Sequence, residues 1–506
     1  MRTDELNGEL FEALFQGDDD AVVRALRAGA AAEAADEDGQ TALYAAASLN
    51  QPGMVRLLLA AGADPDRPSD ADGGGLPLCG AAVWGRTEVM QALLAAGARP
   101  DLEEDPGVRA LTWACRQGRA EIVDLLLTGG ADPDLPGPGG EPPLVTAARR
   151  GSPSCVRALL RHGARPTREA LAEAREWIGV DVEARLRREL SGMDGEGLQT
   201  VSRRVEEDGT VTVVVELIRE GGLVAGNEQQ TGHAAVATLL EAALGTRTPA
   251  DELAERALHC GDPDQADWTE AVGVLQSRAD EETFRAAAAW VGTEDPLRQA
   301  FAADVLAGLG LPDEDHGAPG NPGHAGLPAR VVPLLRELAR EAGDPEVIRA
   351  AVAGLGQQRD PAGVTEILRH AGHTDPEVRF GVTVALHGLL PGDHTEGVDA
   401  VIGLTRDEDD GVRDWATTVL ADTGADGPAV RQALADRLAD AVPDIEAEAA
   451  RGLAMRQDAR AVQALARILM DEDPEGYAWS TAEQALEYVT DEGARRRLEA
   501  TVPRSH

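Results

Sequence analysis

The chain has 506 residues, and 89 acidic against 47 basic side chains give it a formal net charge of −42. It contains no lysine, so a phosphate-loop lysine, a Schiff-base lysine and a kinase lysine are all excluded. An acidic surface repels phosphate within a Debye length of ~8 Å at physiological salt, which argues against a nucleic-acid partner.

The remaining composition points to thin layers of helix. Aromatics make up 3% of the chain, and alanine is abundant, which suits helices packed closely without one large core. Cys79, Cys115, Cys155 and Cys260 form no CxxC pair; three lie in repeat helices and read as small core residues, which fits a reducing compartment. The opening Met-Arg-Thr-Asp-Glu-Leu is acidic and lacks an apolar signal region. No stretch approaches the ~18 apolar residues of a membrane helix. A cytoplasmic location without a membrane partner is the expectation.

The first third of the chain repeats itself. Leu10, Leu43, Leu78, Leu111 and Leu144 recur at steps of 33, 35, 33 and 33 residues. Each is followed by a turn-former (Gly17, Asn50, Gly85, Gly118, Gly151) and then by a closing Gly-Ala pair, from Gly29-Ala30 to Gly163-Ala164. Glycine and asparagine tolerate the left-handed conformation that stops a helix. Each unit therefore reads as two short helices and a loop, which must stack on its neighbours to bury its apolar face.

Within the units stand Gly39-Gln-Thr-Ala-Leu-Tyr-Ala-Ala-Ala, Gly75-Leu-Pro-Leu-Cys-Gly-Ala-Ala82, Val108-Arg-Ala-Leu-Thr-Trp-Ala114 and Glu141-Pro-Pro-Leu-Val-Thr-Ala-Ala148. This array resembles ankyrin repeats, whose common pattern is Gly-x-Thr-Pro-Leu-His-x-Ala-Ala-x-x-Gly. The resemblance covers residues 1–166 as five units. The family's histidine is missing from every copy, which implies looser loops. The resemblance also implies a binding groove formed by the two residues before each helix-ending glycine or asparagine. Here the groove residues are Ser48 and Leu49, Val83 and Trp84, Arg116 and Gln117, and Arg149 and Arg150, with Phe15 and Gln16 at the same place in the first unit. Tryptophan and arginine are frequent interface hot spots.

Residues 167–248 read as a connector. A helix is expected from Arg168 to Leu190, and Thr231 to Leu244 reads as another, stopped by Gly245. Between them Val201 to Ile218 alternates as a β-hairpin around Asp208-Gly209. A two-residue turn there places Val211, Val213 and Val215 opposite Glu206, Arg204 and Ser202. Such a hairpin is marginal alone and should cap a solenoid end.

In residues 249–506 the marker changes. Asp-Pro pairs at Asp262, Asp295, Asp344, Asp375 and Asp473 read as helix starts, with aspartate as N-cap and proline in the first turn. Leu275, Leu306, Leu355, Leu386, Leu420, Leu453 and Leu486 mark about seven units, interrupted by an insertion near 311–328. The motif Asp-Pro-x-Val-Arg, as in Asp375 to Arg379, resembles HEAT repeats of the bacterial bilin-lyase type. Val442-Pro-Asp-Ile-Glu446 and Asp473-Pro-Glu-Gly-Tyr477 lack the arginine.

Chemistry has little to stand on. His370, His373, His387, Asp393 and His394 are possible zinc or iron ligands, and the insertion adds Asp313, Glu314, Asp315, His316 and His324. One HEAT-like hydroxylase family carries His-Glu pairs as iron ligands, but no His-Glu dipeptide occurs here. HExxH, GxSxG and a glycine-rich phosphate loop are also missing from the sequence. Asp64, Asp66, Asp70, Asp72, Glu103, Glu104, Asp105, Asp132 and Asp134 form an acidic fingertip ridge, suited to basic tails or to solvation.

The expectation is a mostly α protein of two solenoids in series, ankyrin-like and then HEAT-like, joined by a helix and a β-hairpin. It acts as a non-catalytic protein-binding scaffold or adaptor with no cofactor and no bound metal. Its partner is another protein with a basic or amphipathic segment. The alternatives are a metal-dependent HEAT-like hydroxylase or lyase accessory, and an immunity-like inhibitor of a basic enzyme.

Overall fold

The computed structural model describes residues 2–69, 75–104, 107–191, 197–219, 222–311 and 326–500. The insertion residues Asp313, Glu314, Asp315, His316 and His324, and the fingertip residues Asp70, Asp72 and Asp105, lie outside them. The chain divides into two compact units, Met1–Ala271 and Val272–His506.

The first unit opens with five helix pairs, from Arg2–Gln16 with Asp19–Ala28 to Pro143–Arg150 with Pro153–Arg161. The turn inside each pair sits at positive φ, between 58° and 74°, at Gly17, Asn50, Gly85, Gly118 and Gly151. The marker leucines Leu10, Leu43, Leu78, Leu111 and Leu144 are all buried in one continuous core.

The loops are tied despite the missing histidine. Glu33 accepts the Asp64 N–H, Asp66 accepts that of Arg99 at 2.9 Å, Asp101 that of Asp132 at 3.1 Å, and Asp134 that of Arg165 at 2.9 Å. Each carboxylate holds the backbone of the next unit, a charge-assisted bond of the stronger kind. Looser loops therefore do not follow, because carboxylates supply the inter-loop bonds. Much of the acidic ridge has this structural work: Glu104 accepts from the Leu76 N–H and from Trp113 Nε1, and Glu103 pairs with Arg109.

The connector departs from expectation in three ways. The helix expected from Arg168 to Leu190 is two helices, Arg168–Arg175 and Val182–Ser191, separated at Gly179 with φ 73°. Ala170, Leu171 and Ala174 pack on the repeat core, whereas Trp177, Val182, Leu186 and Leu190 form a second core with Val213 and Val215. One straight helix cannot serve both.

Second, the sheet has three strands. After the short pair β1 (Glu103–Glu104) and β2 (Val108–Arg109), strands β3 (Leu198–Val205), β4 (Val211–Arg219) and β5 (Gly222–Gln230) form an antiparallel sheet in the order β3-β4-β5. Third, the β3–β4 register is one residue away from that of a two-residue turn. Val211, Val213 and Val215 face Val205, Arg203 and Val201. The loop is Glu207-Asp208-Gly209, closed by the Glu206 N–H on the Thr210 carbonyl at 2.8 Å, with Gly209 at φ 73°. A three-residue loop with a left-handed glycine is the next commonest hairpin type.

In the second unit, Asp295, Asp344 and Asp375 cap helices as expected, each accepting an N–H two residues on. Asp262 and Asp473 do not. They close turns, and the helices begin later, at Ala266 and Tyr477. Arg379 of the Asp-Pro-x-Val-Arg motif forks onto Asp407 of the following repeat, at 2.7 and 2.8 Å, and Arg413 reaches Asp440 at 3.3 Å. The motif arginine is thus a staple between neighbouring repeats. Where Glu446 stands in its place, the carboxylate pairs with Arg467 on the second helix of the same repeat, so the inter-repeat staple is not reproduced there.

Candidate interaction surface

The inner helices Ala42–Ser48, Pro77–Trp84, Ala110–Gln117 and Pro143–Arg150 pack on one another in sequence, so their last residues form a row. The row is apolar at one end. Phe15, Leu49 and Trp84 are 62%, 46% and 58% exposed. Ser48 and Val83 are half-buried beside them. Single exposed apolar residues need no explanation, but here three stand exposed near the inner-helix ends of consecutive repeats.

The other end is cationic and largely engaged. Arg116 is exposed and lies 5.0 Å from the Trp113 ring, with Gln117 half-buried beside it. Arg149 is exposed but held between Glu141 at 2.8 Å and Glu173 at 2.9 Å; these bonds, first that to Glu173, push its pKa further up. Arg150 is 6% exposed, with both terminal nitrogens on Glu228 of β5. Its place in the groove is corrected: the sheet covers it. Gln229 donates to the Arg149 carbonyl, and His233 Nε2 lies 3.2 Å from the same oxygen. Repetition alone could not reveal this cover, because it comes from residues far along the chain.

The histidines of the second unit are not brought together. His370 Nε2 lies 2.6 Å from the Ala339 carbonyl, His373 Nδ1 accepts the Asp375 N–H, His387 pairs with Asp422, and His394 Nδ1 caps a helix at the Gly397 N–H. Each serves its own local structure. Among the described residues no group of three His, Cys, Asp or Glu side chains is placed to share a metal. A broad depression of about 700 Å³ lies nearby, lined by His373, Thr374, Arg379, Leu404 and Glu408.

Comparison with protein families identifies both arrays. The family described as ankyrin repeats (3 copies) matches residues 10–104 and 78–170, and the family of HEAT repeats matches residues 332–421. No curated protein matches the chain. The N-terminal part of the chain consists of ankyrin repeats, and the C-terminal part carries HEAT repeats. The HEAT match does not specify the bilin-lyase form. Repeats of these two kinds are typical of protein-interaction scaffolds.

Proposed function

We propose that the protein is a non-catalytic scaffold that grips a segment of another protein on the Phe15–Leu49–Trp84 row, with Arg116 at its end. One observation carries this reading: large apolar side chains stand exposed at the groove ends of three successive ankyrin repeats. An amphipathic partner segment fits, its apolar side on Leu49 and Trp84 and a polar or acidic group near Arg116. Tryptophan and arginine in such a row supply the anchors, and neighbouring contacts exclude water. The net charge of −42 raises the encounter rate with a basic partner, so basic residues flanking the docked segment complete the description. The depression in the HEAT unit is a second contact surface. A reducing, cytoplasmic setting is part of the proposal, supported by four free cysteines whose thiols burial pushes up.

The test uses a partner captured on the full chain, identified and purified. Trp84→Ala and Arg116→Ala should each weaken its binding by about tenfold or more while melting is unchanged. Equal affinity for both variants and the parent protein removes the groove reading.

A further inference from the structure

A second site lies beside that row, and sequence repetition gives no hint of it. A half-open cavity of about 240 Å³ lies between the turn ends of the third to fifth ankyrin repeats and the β3–β4 hairpin tip. Its floor is formed by Gly85, Gly118 and the first turn of the helix Ala120–Thr128; Glu206, Asp208 and Gln230 roof it. The approach is close: a Cβ on Gly118, at φ +66°, would stand 2.8 Å from the Gln230 amide.

The unsatisfied groups around this space are mainly donors. The helix Ala120–Thr128 has Arg119 at its N-cap and no side-chain cap, so the N–H groups of Ala120, Glu121 and Ile122 have no protein acceptor among the described residues. The Arg119 guanidinium lies across Gly85 and forms no ion pair or hydrogen bond there, with its Nε fully buried. Gln230 is 2% exposed, and its side-chain oxygen is buried without a partner. An amide can turn either its oxygen or its NH2 to a ligand.

Three of the four lining carboxylates are already occupied, and the fourth, Glu207, is exposed to solvent. Glu121 accepts from Thr87 Oγ1 at 2.9 Å, Glu206 from Arg204 at 3.0 Å, and Asp208 from Ser154 Oγ at 2.6 Å. Burial and the neighbouring Arg204 lower the proton affinity of Arg119, while Glu228 and Glu206 act the other way. A half-buried guanidinium that no carboxylate bonds directly, beside an open helix start, calls for an acceptor. The nearby acids oppose a doubly charged ligand more than a singly charged one, which favours a carboxylate over a phosphate dianion.

We propose that this cavity binds a carboxylate group, held by Arg119, by the free N–H groups of Ala120, Glu121 and Ile122, and by the Gln230 amide. The carboxylate is either the C-terminal end of a peptide or that of a free small acid. The site is separate from the Trp84 row and stands or falls independently of it.

The experiment titrates the full chain with N-acetylglycine, its methyl ester and acetate, following the backbone signals of Ala120, Glu121 and Ile122 and the Arg119 Nε–H signal by amide-correlation NMR. The proposal requires saturable movement with an acid, none with the ester, and affinity weakened by about tenfold or more in Arg119→Gln. Gln230→Leu should weaken it too, and Trp84→Ala should not. Tighter binding of N-acetylglycine than of acetate points to a peptide end, and the reverse order to a free acid. Absence of saturation with either acid, equal response to the ester, or unchanged affinity in Arg119→Gln overturns the proposal. If Arg119→Gln does not fold, the acid–ester comparison on the parent protein decides alone.

Discussion

Arg150 ends the last inner helix of the ankyrin array, and Glu228 lies 78 residues further on in β5; Arg150 Nη1 donates to the Glu228 carbonyl at 2.8 Å and Nη2 to its carboxylate at 2.7 Å. This pair fastens the sheet to the array. Removing one partner of a buried pair costs more than the pair contributes, because the other charge is left without compensation. Glu228 keeps 30% side-chain exposure, which moderates that cost. Glu228→Ala should destabilise the protein by about 2 kcal/mol, whereas Arg150→Leu with Glu228→Leu together should cost less than their sum. Urea denaturation of the single and double variants checks both. Additive losses would show that the two residues are not coupled.

His233 makes the same region pH-sensitive. Its ring is buried against Trp177, with centroids 5.1 Å apart, and burial lowers its pKa from 6.5 to about 4. The folded state holds the ring neutral, and the unfolded state takes up a proton first as pH falls. The stabilising contribution is therefore full above pH 6.5 and declines down to about 4, by roughly 3 kcal/mol in all. His233→Phe should remove this slope. The stability difference between parent and variant, measured across that range, should change in favour of the variant as pH falls. A constant difference would mean that His233 is not held neutral.

The two arrays were legible because they repeat: a leucine every 33 or so residues needs only counting, and each marker leucine is buried where its period puts it. The connector was not. β5 reads Gly-Leu-Val-Ala-Gly-Asn-Glu-Gln-Gln, which has no alternation to follow because its polar end, Glu228 to Gln230, is spent on the array. Asp-Pro proved an ambiguous marker. The same pair caps a helix at Asp375 and closes a turn at Asp473, where Gly476 delays the helix. The row of inner-helix ends could be read from the repeat spacing, but the cover over Arg150 and the cavity under Gln230 depend on contacts between distant segments.

Asp267 has the opposite pH signature. It is half-buried, accepts the Ala235 N–H at 2.7 Å, and has its pKa raised from 3.8 to about 6, chiefly by desolvation. A raised pKa gives a contribution that is full below 3.8 and lost as pH rises through about 6, leaving a poorly solvated charge at neutral pH. Asp267→Asn keeps an acceptor for Ala235 and removes the charge. It should stabilise the protein by about 2 kcal/mol at alkaline pH and much less in acid. Denaturant titrations at both ends check this, and an equal effect at both would reject a titrating Asp267.

The motif arginine of the HEAT repeats offers a sharper test than its caps. Asp375→Ala should cost about 1 kcal/mol through the lost N-cap, a value that many surface changes reach. Arg379 is different because both members of its pair with Asp407 are nearly buried and the guanidinium spends its other side on the carbonyls of His373 and Thr374. Lysine carries the same charge but cannot fork onto a carboxylate and two carbonyls at once. Arg379→Lys should therefore cost about 2 kcal/mol. Arg406→Lys is the control, since Arg406 meets Asp436 at 3.5 Å in solvent and such pairs contribute about 0–1 kcal/mol. Thermal melts of the two variants should separate clearly. Equal melting would show that charge alone, without the fork, joins one HEAT repeat to the next.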